Sequence, residues 1–561
     1  MQETETRKRR VEWAGFFLGP AVCLVGLVAL PDAYFLGPSH PPTSAADLPS
    51  AEHQRAAQTG NAVSPSNASG TMDRSRSLEA SPQTGRVEFS WAGRATLSVM
   101  AWMAVWWLTE AVHITVTALL PLALFPLLGA ATMSEAASPY AHHLIFLYLG
   151  GFTLAFSMEK WGLGRRMALL CLSITGTSAP RMIAGFMMVT AFLSAFVSNT
   201  ATTAMMLPIA LSTIGLLRAE QASAKGNEHI EMFATCLLLG IAYSASIGGV
   251  ATIIGTPPNA FLVGFLGDTI APEYQINISF VGWLPIGLSL VLLFLPTMYV
   301  IMTRLLFPIR GIALPGGAQM VRRELRSLGS ISRGEWLTTC VFVGTVIAWL
   351  TRPLLQSIEF TWQGASLTPL AGLSDTGIAM IAALVLFVLP VDIGRREFVM
   401  DWATASRTPW DILLLFGGGL SLASAVQNNG VAEFLGSFAG QIGQVPDIAI
   451  VLFVTAAIVF LTELTSNVAT TTSLVPVLAA LAPGLGMHPV RLAVPAAIAA
   501  SCAFMLPVAT PPNAIVFGAG YIRLPQMIRA GLVLNIVSVI LVTLISETVA
   551  RWWLVSSSGG S

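Results

Sequence analysis

Charged side chains are scarce in this 561-residue chain, where Asp, Glu, Lys and Arg make up 10% of the residues. A typical soluble protein carries about 25%. Hydrophobic residues reach 54%, and this combination excludes an ordinary soluble core in favour of a membrane protein. The 29 basic residues balance 29 acidic residues, so a basic surface for nucleic acid is not expected.

Lysine, histidine and cysteine are also rare, and their scarcity excludes several classes of enzyme. The three lysines, Lys8, Lys160 and Lys225, do not follow a glycine, so the chain lacks the phosphate-binding loop of ATP-driven pumps. None of the seven histidines begins a His-Glu-x-x-His metalloprotease motif. The five cysteines are scattered and odd in number, so we interpret them as small core residues. We therefore expect neither an enzyme nor a bound cofactor.

Long apolar segments, in contrast, recur along the whole chain. Many of them reach roughly 20 residues, which is enough to cross a hydrocarbon core of about 30 Å. We predict an all-α polytopic membrane protein with about eleven transmembrane helices and two re-entrant helical hairpins. The predicted spans lie near residues 13–36, 96–108, 113–128, 144–162, 233–266, 280–306, 336–355, 377–389 and 412–431, with two more between the second hairpin and residue 554.

Clusters of basic residues predict which side of the membrane each loop faces. Residues 7–10 read Arg-Lys-Arg-Arg, and residues 307–335 form a linker rich in arginine. The positive-inside rule places both in the cytoplasm, so residues 1–12 are expected inside and the C-terminus outside, most simply in the plasma membrane. Residues 39–90 are rich in Ser, Pro and Ala and are predicted to form a disordered extracytoplasmic loop. Its Asn67 sequon is compatible with glycosylation.

One short polar stretch occurs twice. Residues 198–203 read Ser-Asn-Thr-Ala-Thr-Thr, and residues 466–471, which lie 268 positions later, read Ser-Asn-Val-Ala-Thr-Thr. Each copy is followed by a Thr-Pro-Pro-Asn motif, at residues 256–259 and 510–513. Two motifs in the same order at nearly constant spacing indicate a duplicated unit.

The two units, residues 94–306 and 336–554, are predicted to be inverted repeats. Ser and Asn side chains accept hydrogen bonds from the free N–H groups of a new helix, so each polar stretch should begin a half-helix. Irregular backbone at membrane depth is tolerated where it is buried in protein or lines a wet cavity. We therefore place the stretches at the tips of re-entrant hairpins near residues 182–217 and 448–481. Inverted repeats with broken helices are typical of secondary transporters.

The chemistry of these tips suits an anion and small cations. A helix N-terminus offers N–H groups and the positive end of a dipole, which favour an anion. An Asn amide can donate to a carboxylate while its oxygen faces a cation. The Thr-Pro-Pro-Asn breaks leave carbonyl oxygens without helical partners. Two copies therefore predict two oxygen-lined sodium cages beside one anion pocket.

At these motifs the chain resembles the divalent anion/sodium symporter family, which includes sodium-coupled carboxylate and sulfate cotransporters. The resemblance extends over the membrane portion and includes residues 107–112, 246–249 and 416–419, which read Trp-Leu-Thr-Glu-Ala-Val, Ser-Ile-Gly-Gly and Phe-Gly-Gly-Gly. It implies sodium-coupled symport of di- and tricarboxylates such as succinate, malate and citrate. It also implies a homodimer in which a transport domain moves like an elevator against a scaffold domain.

The resemblance also implies specific ligands for sodium and for the carboxylate anion, within a protein that is surrounded by lipid. The first sodium site would be formed by Ser194, Ser198, Asn199 and Gly255. The second would be formed by Thr462, Thr465, Asn467 and Ala509. The substrate would contact Ser198, Asn199, Thr200, Ser466, Asn467, Val468, Thr510 and Pro511.

The two motifs differ at one position that bears on the substrate. Val468 stands where the first motif has Thr200, so one end of the pocket loses a hydroxyl group. Residues 463–470 resemble the di- and tricarboxylate branch, which favours carboxylates over sulfate. Sodium-coupled sulfate transport, proton-coupled anion transport and an anion channel or exchanger stay open as alternatives.

The remaining polar residues are interpreted as structural. Glu463 has the wrong charge to hold an anion, so we expect a hydrogen-bonded structural group, with a cation-coupling or proton-linked role as the alternative. Glu110, Glu159, Lys160 and the pair at residues 142–143 (His-His) are interpreted as interfacial or turn residues. The run of three glycines at residues 417–419 is interpreted as a site of close helix packing.

Overall fold

The structure is a computed structural model that describes residues 2–35, 86–175, 178–220, 224–309, 317–362, 365–440 and 445–550. Helices dominate these residues, as the sequence predicts. Within the described ranges, the only sheets are three antiparallel pairs of short strands.

The first half of the chain contains twelve α-helices and one strand pair. The helices are α1 (Gln2–Ala29), α2 (Trp91–Thr109), α3 (Ile114–Thr117), α4 (Leu120–Leu128), α5 (Met133–Ala137), α6 (His143–Lys160), α7 (Leu163–Thr175), α8 (Ala179–Ser194), α9 (Asn199–Glu220), α10 (Ala224–Gly249), α11 (Pro257–Gly264) and α12 (Phe280–Val300). The strands are β1 (Ala33–Phe35) and β2 (Arg86–Glu88). Short 3-10 or π turns occupy Ser138–Ala141, Phe265–Thr269, Pro272–Tyr274 and Ile301–Leu306.

The second half follows a similar order. Its helices are α13 (Gly317–Ser327), α14 (Arg333–Gln356), α15 (Asp375–Val388), α16 (Trp402–Ala405), α17 (Trp410–Asn428), α18 (Val431–Ala439), α19 (Asp447–Leu461), α20 (Asn467–Leu481), α21 (Val490–Ala500), α22 (Pro511–Gly518) and α23 (Leu524–Ile545). Its strands are β3 (Phe360–Trp362), β4 (Ala365–Leu367), β5 (Pro390–Asp392) and β6 (Glu397–Phe398). Short 3-10 or π turns occupy Pro483–Leu485 and Ser546–Ala550.

The predicted spans all coincide with helices of the structure. By length and apolar composition, seven helical stretches of the described residues could cross a membrane, and six further apolar helices are shorter. The remaining predicted spans correspond to α2, to α3 with α4, to α15 and to α21 with α22. These pieces are shorter, interrupted or less apolar than the seven, so counting continuous long helices misses them.

The predicted interruptions are present in both halves. Helix α8 ends at Ser194 and α9 begins at Asn199, while α19 ends at Leu461 and α20 begins at Asn467. Each Thr-Pro-Pro-Asn motif begins a second short helix, α11 or α22. The order helix, break, helix, helix, break, helix therefore occurs twice, as α8–α11 and as α19–α22.

The N-terminal boundaries differ from the predictions. The first span was predicted over residues 13–36, but α1 ends at Ala29. Pro31 explains this end, because proline disfavours helical backbone in the preceding residue and has no N–H for the helix. The predicted disordered loop, residues 39–90, is wrong at its end, where β2 pairs with β1. Phe89 then packs onto α18 and is 2% exposed. The rest of that loop lies outside the described residues.

The predicted basic linker, residues 307–335, contains helix α13 and the first turn of α14. Ser332 and Glu335 form a capping box that begins α14. Arg166 of α7 donates two hydrogen bonds to the Glu335 carboxylate, at 2.7 and 3.2 Å, and also reaches the carbonyl oxygens of residues 328–330. The linker is therefore anchored to the helix that leads into the first hairpin.

The packing role of the glycine run is confirmed, and Lys160 has a partner on another element. A Cβ atom added to Gly418 would collide with the backbone of Ala118, so the glycine run lets α17 approach α3 closely. Lys160, at the end of α6, donates a hydrogen bond of 2.7 Å to Asp401. This bond holds the pKa of the Asp401 carboxyl below its usual value.

The two halves of the chain interlock through the short helices that follow the breaks. Helix α22 of the second half packs against α9 and α10 of the first half. In return, α11 of the first half packs against α20 and α21 of the second half. Each helix that begins at a Thr-Pro-Pro-Asn motif therefore contacts the helix that begins at the Ser-Asn motif of the other half.

Candidate functional site

The first tip is built around the start of α9. The Ser198 hydroxyl oxygen accepts a hydrogen bond from the Ala201 N–H at 3.2 Å, which is the capping that its position predicts. The Ser194 hydroxyl lies 2.6 Å from Asn199 Oδ1 and 2.8 Å from the Ala245 carbonyl oxygen. A hydroxyl donates one proton, so it serves these two oxygens in turn. This arrangement fixes the orientation of the Asn199 amide.

Oxygen atoms from three separate stretches meet beside this amide. A Cβ atom placed on Gly249 would lie 2.5 Å from Asn199 Oδ1 and 3.1 Å from the Gly255 carbonyl oxygen. A Cβ atom on Gly255 would meet the Gly249 carbonyl oxygen and lie 3.0 Å from that of Ala195. Only glycines allow so close an approach. The resulting cluster of uncharged oxygens suits a hard cation.

The break between α10 and α11 is fixed by the asparagine of the first Thr-Pro-Pro-Asn motif. The fully buried Asn259 amide faces three carbonyl oxygens of the break, the nearest being that of Thr252 at 2.8 Å. The Thr252 hydroxyl donates to the Ala195 carbonyl oxygen and accepts from the Gly255 N–H at 3.1 Å. The hairpin tip and the break are therefore connected directly.

The second tip reproduces the first with different side chains. The Thr462 hydroxyl lies 2.9 Å from Asn467 Oδ1 and 2.9 Å from the Ala500 carbonyl oxygen. Thr462 and Asn467 correspond to Ser194 and Asn199 at a shift of 268 positions. The Thr465 hydroxyl lies 2.7 Å from that of Thr470. Both asparagines are thus held by a hydroxyl five residues earlier.

The second break also uses an asparagine. Asn513, which is fully buried, donates from its amide to the carbonyl oxygens of Ala503 and Leu506, at 3.2 and 3.1 Å. The Thr510 hydroxyl oxygen caps α22 by accepting from the Asn513 N–H at 3.3 Å. The two Thr-Pro-Pro-Asn motifs therefore serve the same purpose, which is to hold irregular backbone in place.

Glu463 is the main difference between the two halves. Its carboxylate accepts hydrogen bonds from the N–H groups of Phe504, Met505 and Leu506, at 2.7, 2.8 and 3.0 Å. It also accepts one from the Asn535 amide at 2.7 Å. The predicted hydrogen bonding of Glu463 is confirmed, and its purely structural role stays a prediction. The corresponding first-half residue is Ala195, which supplies only its carbonyl oxygen.

Four helix N-termini give the site a positive electrostatic potential. Helices α9, α11, α20 and α22 begin at the two kinds of motif, and each N-terminus presents free N–H groups and a partial positive charge. Thr200 and Pro511 are exposed. The residues at the starts of α9 and α20 are half-buried, namely Ser198, Asn199, Ser466, Asn467 and Val468. The N-termini of these helices are therefore not fully covered by the protein, and they suit an anion.

Not every predicted ligand contacts the predicted partner. Thr465 is hydrogen-bonded to Thr470 and to the Leu461 carbonyl oxygen rather than to Asn467. The Ala509 N–H donates to the Leu506 carbonyl oxygen at 3.2 Å. These contacts place both residues in the second tip and break, where their roles as sodium ligands stay predictions.

Sequence reasoning missed several contributors. The carbonyl oxygens of Ala195 and Gly249 lie in the oxygen cluster beside Asn199, and the Asn535 amide donates to Glu463. Any residue can supply a carbonyl oxygen, so the amino-acid type at positions 195 and 249 does not indicate that these carbonyl oxygens lie in the cluster. The paired glycines at residues 248–249 were a usable signal, because they are the last two residues of α10, where its break begins.

Comparison with known proteins decides the family. The family profile described as "Sodium:sulfate symporter transmembrane region" matches residues 88–557. The chain belongs to this divalent anion/sodium symporter family. The symporter is therefore an integral membrane protein of a transporter family, as its motifs predict.

Relatives cover most of the symporter. The sodium-dependent dicarboxylate transporter SdcS of Staphylococcus saprophyticus is 40% identical over 455 residues, which cover 81% of this chain and 85% of the relative. The transporter of the same name from Staphylococcus aureus (strain USA300) is 38% identical over 459 residues, covering 82% and 86%. The YdaH transporter of Alcanivorax borkumensis has a similar fold, with a TM-score of 0.53, 15% identity and coverage of 82% and 98%.

Proposed function

We propose that this symporter imports di- and tricarboxylates of the succinate, malate and citrate class together with sodium. The observation that carries the proposal is the repeated arrangement of a hydroxyl that holds an asparagine at the start of a half-helix, at Asn199 and at Asn467. The names of the SdcS relatives support the substrate class and the sodium dependence.

In this proposal each asparagine links a cation to the anion. Asn199 Oδ1 faces the oxygen cluster of the first cage, and the NH₂ group of a planar amide points to the other side. That group and the helix N–H groups would then bind a carboxylate. Asn467, held in the same way by Thr462, would bind the second carboxylate and face the second cage.

Charge coupling explains why sodium would accompany the anion. Moving a dianion into a cell that is negative by 100 mV costs about 4.6 kcal/mol, twice the cost of about 2.3 kcal/mol per charge. Two sodium ions cancel this cost, and a third makes uptake electrogenic. The two proposed cages account for two ions.

The transport cycle would move one group of helices against another. We propose that the hairpins and the short helices α11 and α22 carry the ligands as a transport domain, in an elevator movement against a scaffold, with two chains per dimer. The N-terminus would be cytoplasmic and the C-terminus extracellular in the plasma membrane. The interlocked packing of α9 with α22 and of α11 with α20 supports movement of these elements as one body.

Uptake into proteoliposomes tests the function directly. Radiolabelled succinate, citrate and sulfate are offered separately to the reconstituted protein, with an inward sodium gradient, with an equal proton gradient, or with neither. Saturable succinate uptake that requires the sodium gradient is expected. Preferred uptake of sulfate, or uptake driven by protons alone, would select the corresponding alternative. Single-channel currents in planar bilayers would show that the protein is a channel and not a carrier.

A further inference from the structure

We propose that His142, His143 and Asp268 form a binding site for a divalent transition-metal cation of the zinc class. This site is separate from the sodium cages, and it joins the start of α6 to the turn that follows α11. It departs from the interpretation of the two histidines as mere interfacial residues.

The three side chains are close enough to share one ion. His142 Nε2 lies 2.9 Å from Asp268 Oδ2, and His143 Nδ1 lies 3.6 Å from the same oxygen. The three candidate ligand atoms all lie within 4.8 Å of one another. Ligands around a tetrahedral zinc ion, at about 2.0–2.1 Å each, are separated by about 3.3 Å. Small side-chain rotations therefore suffice, and water would complete the coordination.

The ligand types select the class of metal. Two imidazole nitrogens and one carboxylate favour zinc and its neighbours over sodium, magnesium or calcium, which prefer oxygen. The side chains of His143 and Asp268 are 57% and 51% exposed, whereas that of His142 is 12% exposed. An ion can therefore enter from water and meet one ligand that is already held in place.

The backbone contact of His142 shows what metal binding would change. His142 Nδ1 accepts a hydrogen bond from the Leu144 N–H at 3.3 Å, so Nε2 carries the ring proton and donates it to Asp268. A metal at Nε2 requires the neutral ring to carry its proton on Nδ1 instead, so Nδ1 no longer accepts from the Leu144 N–H and this long contact is lost. The two rings, with centroids 4.4 Å apart, then share one cation.

The site connects two groups of helices. Helix α6 packs against α14 and α15, and α11 packs against α20 and α21 of the ligand-carrying region, while α17 contacts both α6 and α11. The Tyr148 hydroxyl of α6 also lies 2.7 Å from the carbonyl oxygens of Ile253 and Thr256 in the break before α11. A cation bound to His142, His143 and Asp268 would fasten these groups together. This consequence rests on the proposed function, because it requires that the groups separate during transport. Zinc would then inhibit uptake by stabilising one conformation.

Zinc binding to the purified full-length protein tests the site without any transport. We expect one zinc ion per chain in equilibrium dialysis, and affinity about tenfold or more lower in His142→Asn, His143→Asn and Asp268→Asn. His488→Asn is the matched control, because His488 Nδ1 also accepts an N–H two residues later, from Val490 at 3.3 Å. Equal zinc affinity in all the variants and the wild type would overturn the site.

Transport assays test the consequence separately. In proteoliposomes, micromolar zinc should reduce sodium-driven succinate uptake of the wild type and of His488→Asn, and EDTA should restore it. His143→Asn should transport normally and resist zinc. Zinc that binds as expected without slowing uptake would overturn the fastening role. If no uptake occurs under any condition while zinc binding depends on the three residues, the transport function fails and the site stands.

Discussion

Single residues distinguish the two otherwise similar tips. Ser194 and Thr462 hold their asparagines in the same way, but Ala195 and Glu463 differ in charge. The buried Glu463 side chain accepts from three consecutive N–H groups, which gives the second break a side-chain support. The proposed second sodium site therefore lies beside a carboxyl group, where the first half has Ala195.

Val468 lacks the hydroxyl group that Thr200 has at the same position of the first motif. Restoring a hydroxyl with Val468→Thr should change substrate preference more than sodium dependence, because this half-buried side chain belongs to the proposed anion pocket and to neither proposed sodium site. Relative uptake of succinate, citrate and sulfate should shift by about threefold to tenfold, the effect of one added hydrogen bond of about 1 kcal/mol. Competition assays measure this shift, with Val477→Thr on the same helix as control. Unchanged relative rates with Val468→Thr would count against the pocket.

Among the helices, the break after α10 brings its backbone close to the start of α9. Gly249 ends α10 directly beside Asn199 at the start of α9, and there is no room for a side chain between them. The site therefore depends on where α10 stops as much as on which polar residues are present.

This close approach predicts the effect of one methyl group. Gly249→Ala should raise the sodium concentration for half-maximal uptake about tenfold, because the new Cβ would lie 2.5 Å from Asn199 Oδ1 and displace it from the cage. Gly344→Ala, in the long helix α14, is a matched control because nothing lies within 4 Å of its added Cβ. Equal sodium dependence in the two variants and the wild type would show that Gly249 does not contribute to the proposed first sodium site.

The sequence predicts some of these elements and not others, for physical reasons. Spans follow from apolar length, and the starts of α9 and α20 follow from capping side chains such as Ser198. The short helices α5, α13, α16 and α18 were missed, because their sequences are too short or too polar to register as spans. The carbonyl oxygen of Ala195 was missed because its role depends on which distant backbone approaches it.

The duplicated halves of the chain pack into each other at their motifs. Each Thr-Pro-Pro-Asn helix packs against the Ser-Asn helix of the other half, so each contacting pair takes one helix from each half. One anion pocket shared by both halves, as proposed above, would explain why the motifs are repeated in the same order. It also predicts that a substitution in the Ser-Asn motif of either half abolishes substrate binding at the shared pocket.

Sodium-driven succinate uptake by Asn199→Ala and Asn467→Ala shows whether both tips bind the transported ligands. Each variant should lose about tenfold or more of its uptake while reaching the membrane in normal amounts, since each removes hydrogen bonds to a charged ligand worth about 1.5–3 kcal/mol. Asn428→Ala, which removes an exposed asparagine of α17, should transport normally. Near-normal uptake by either tip variant would contradict the account.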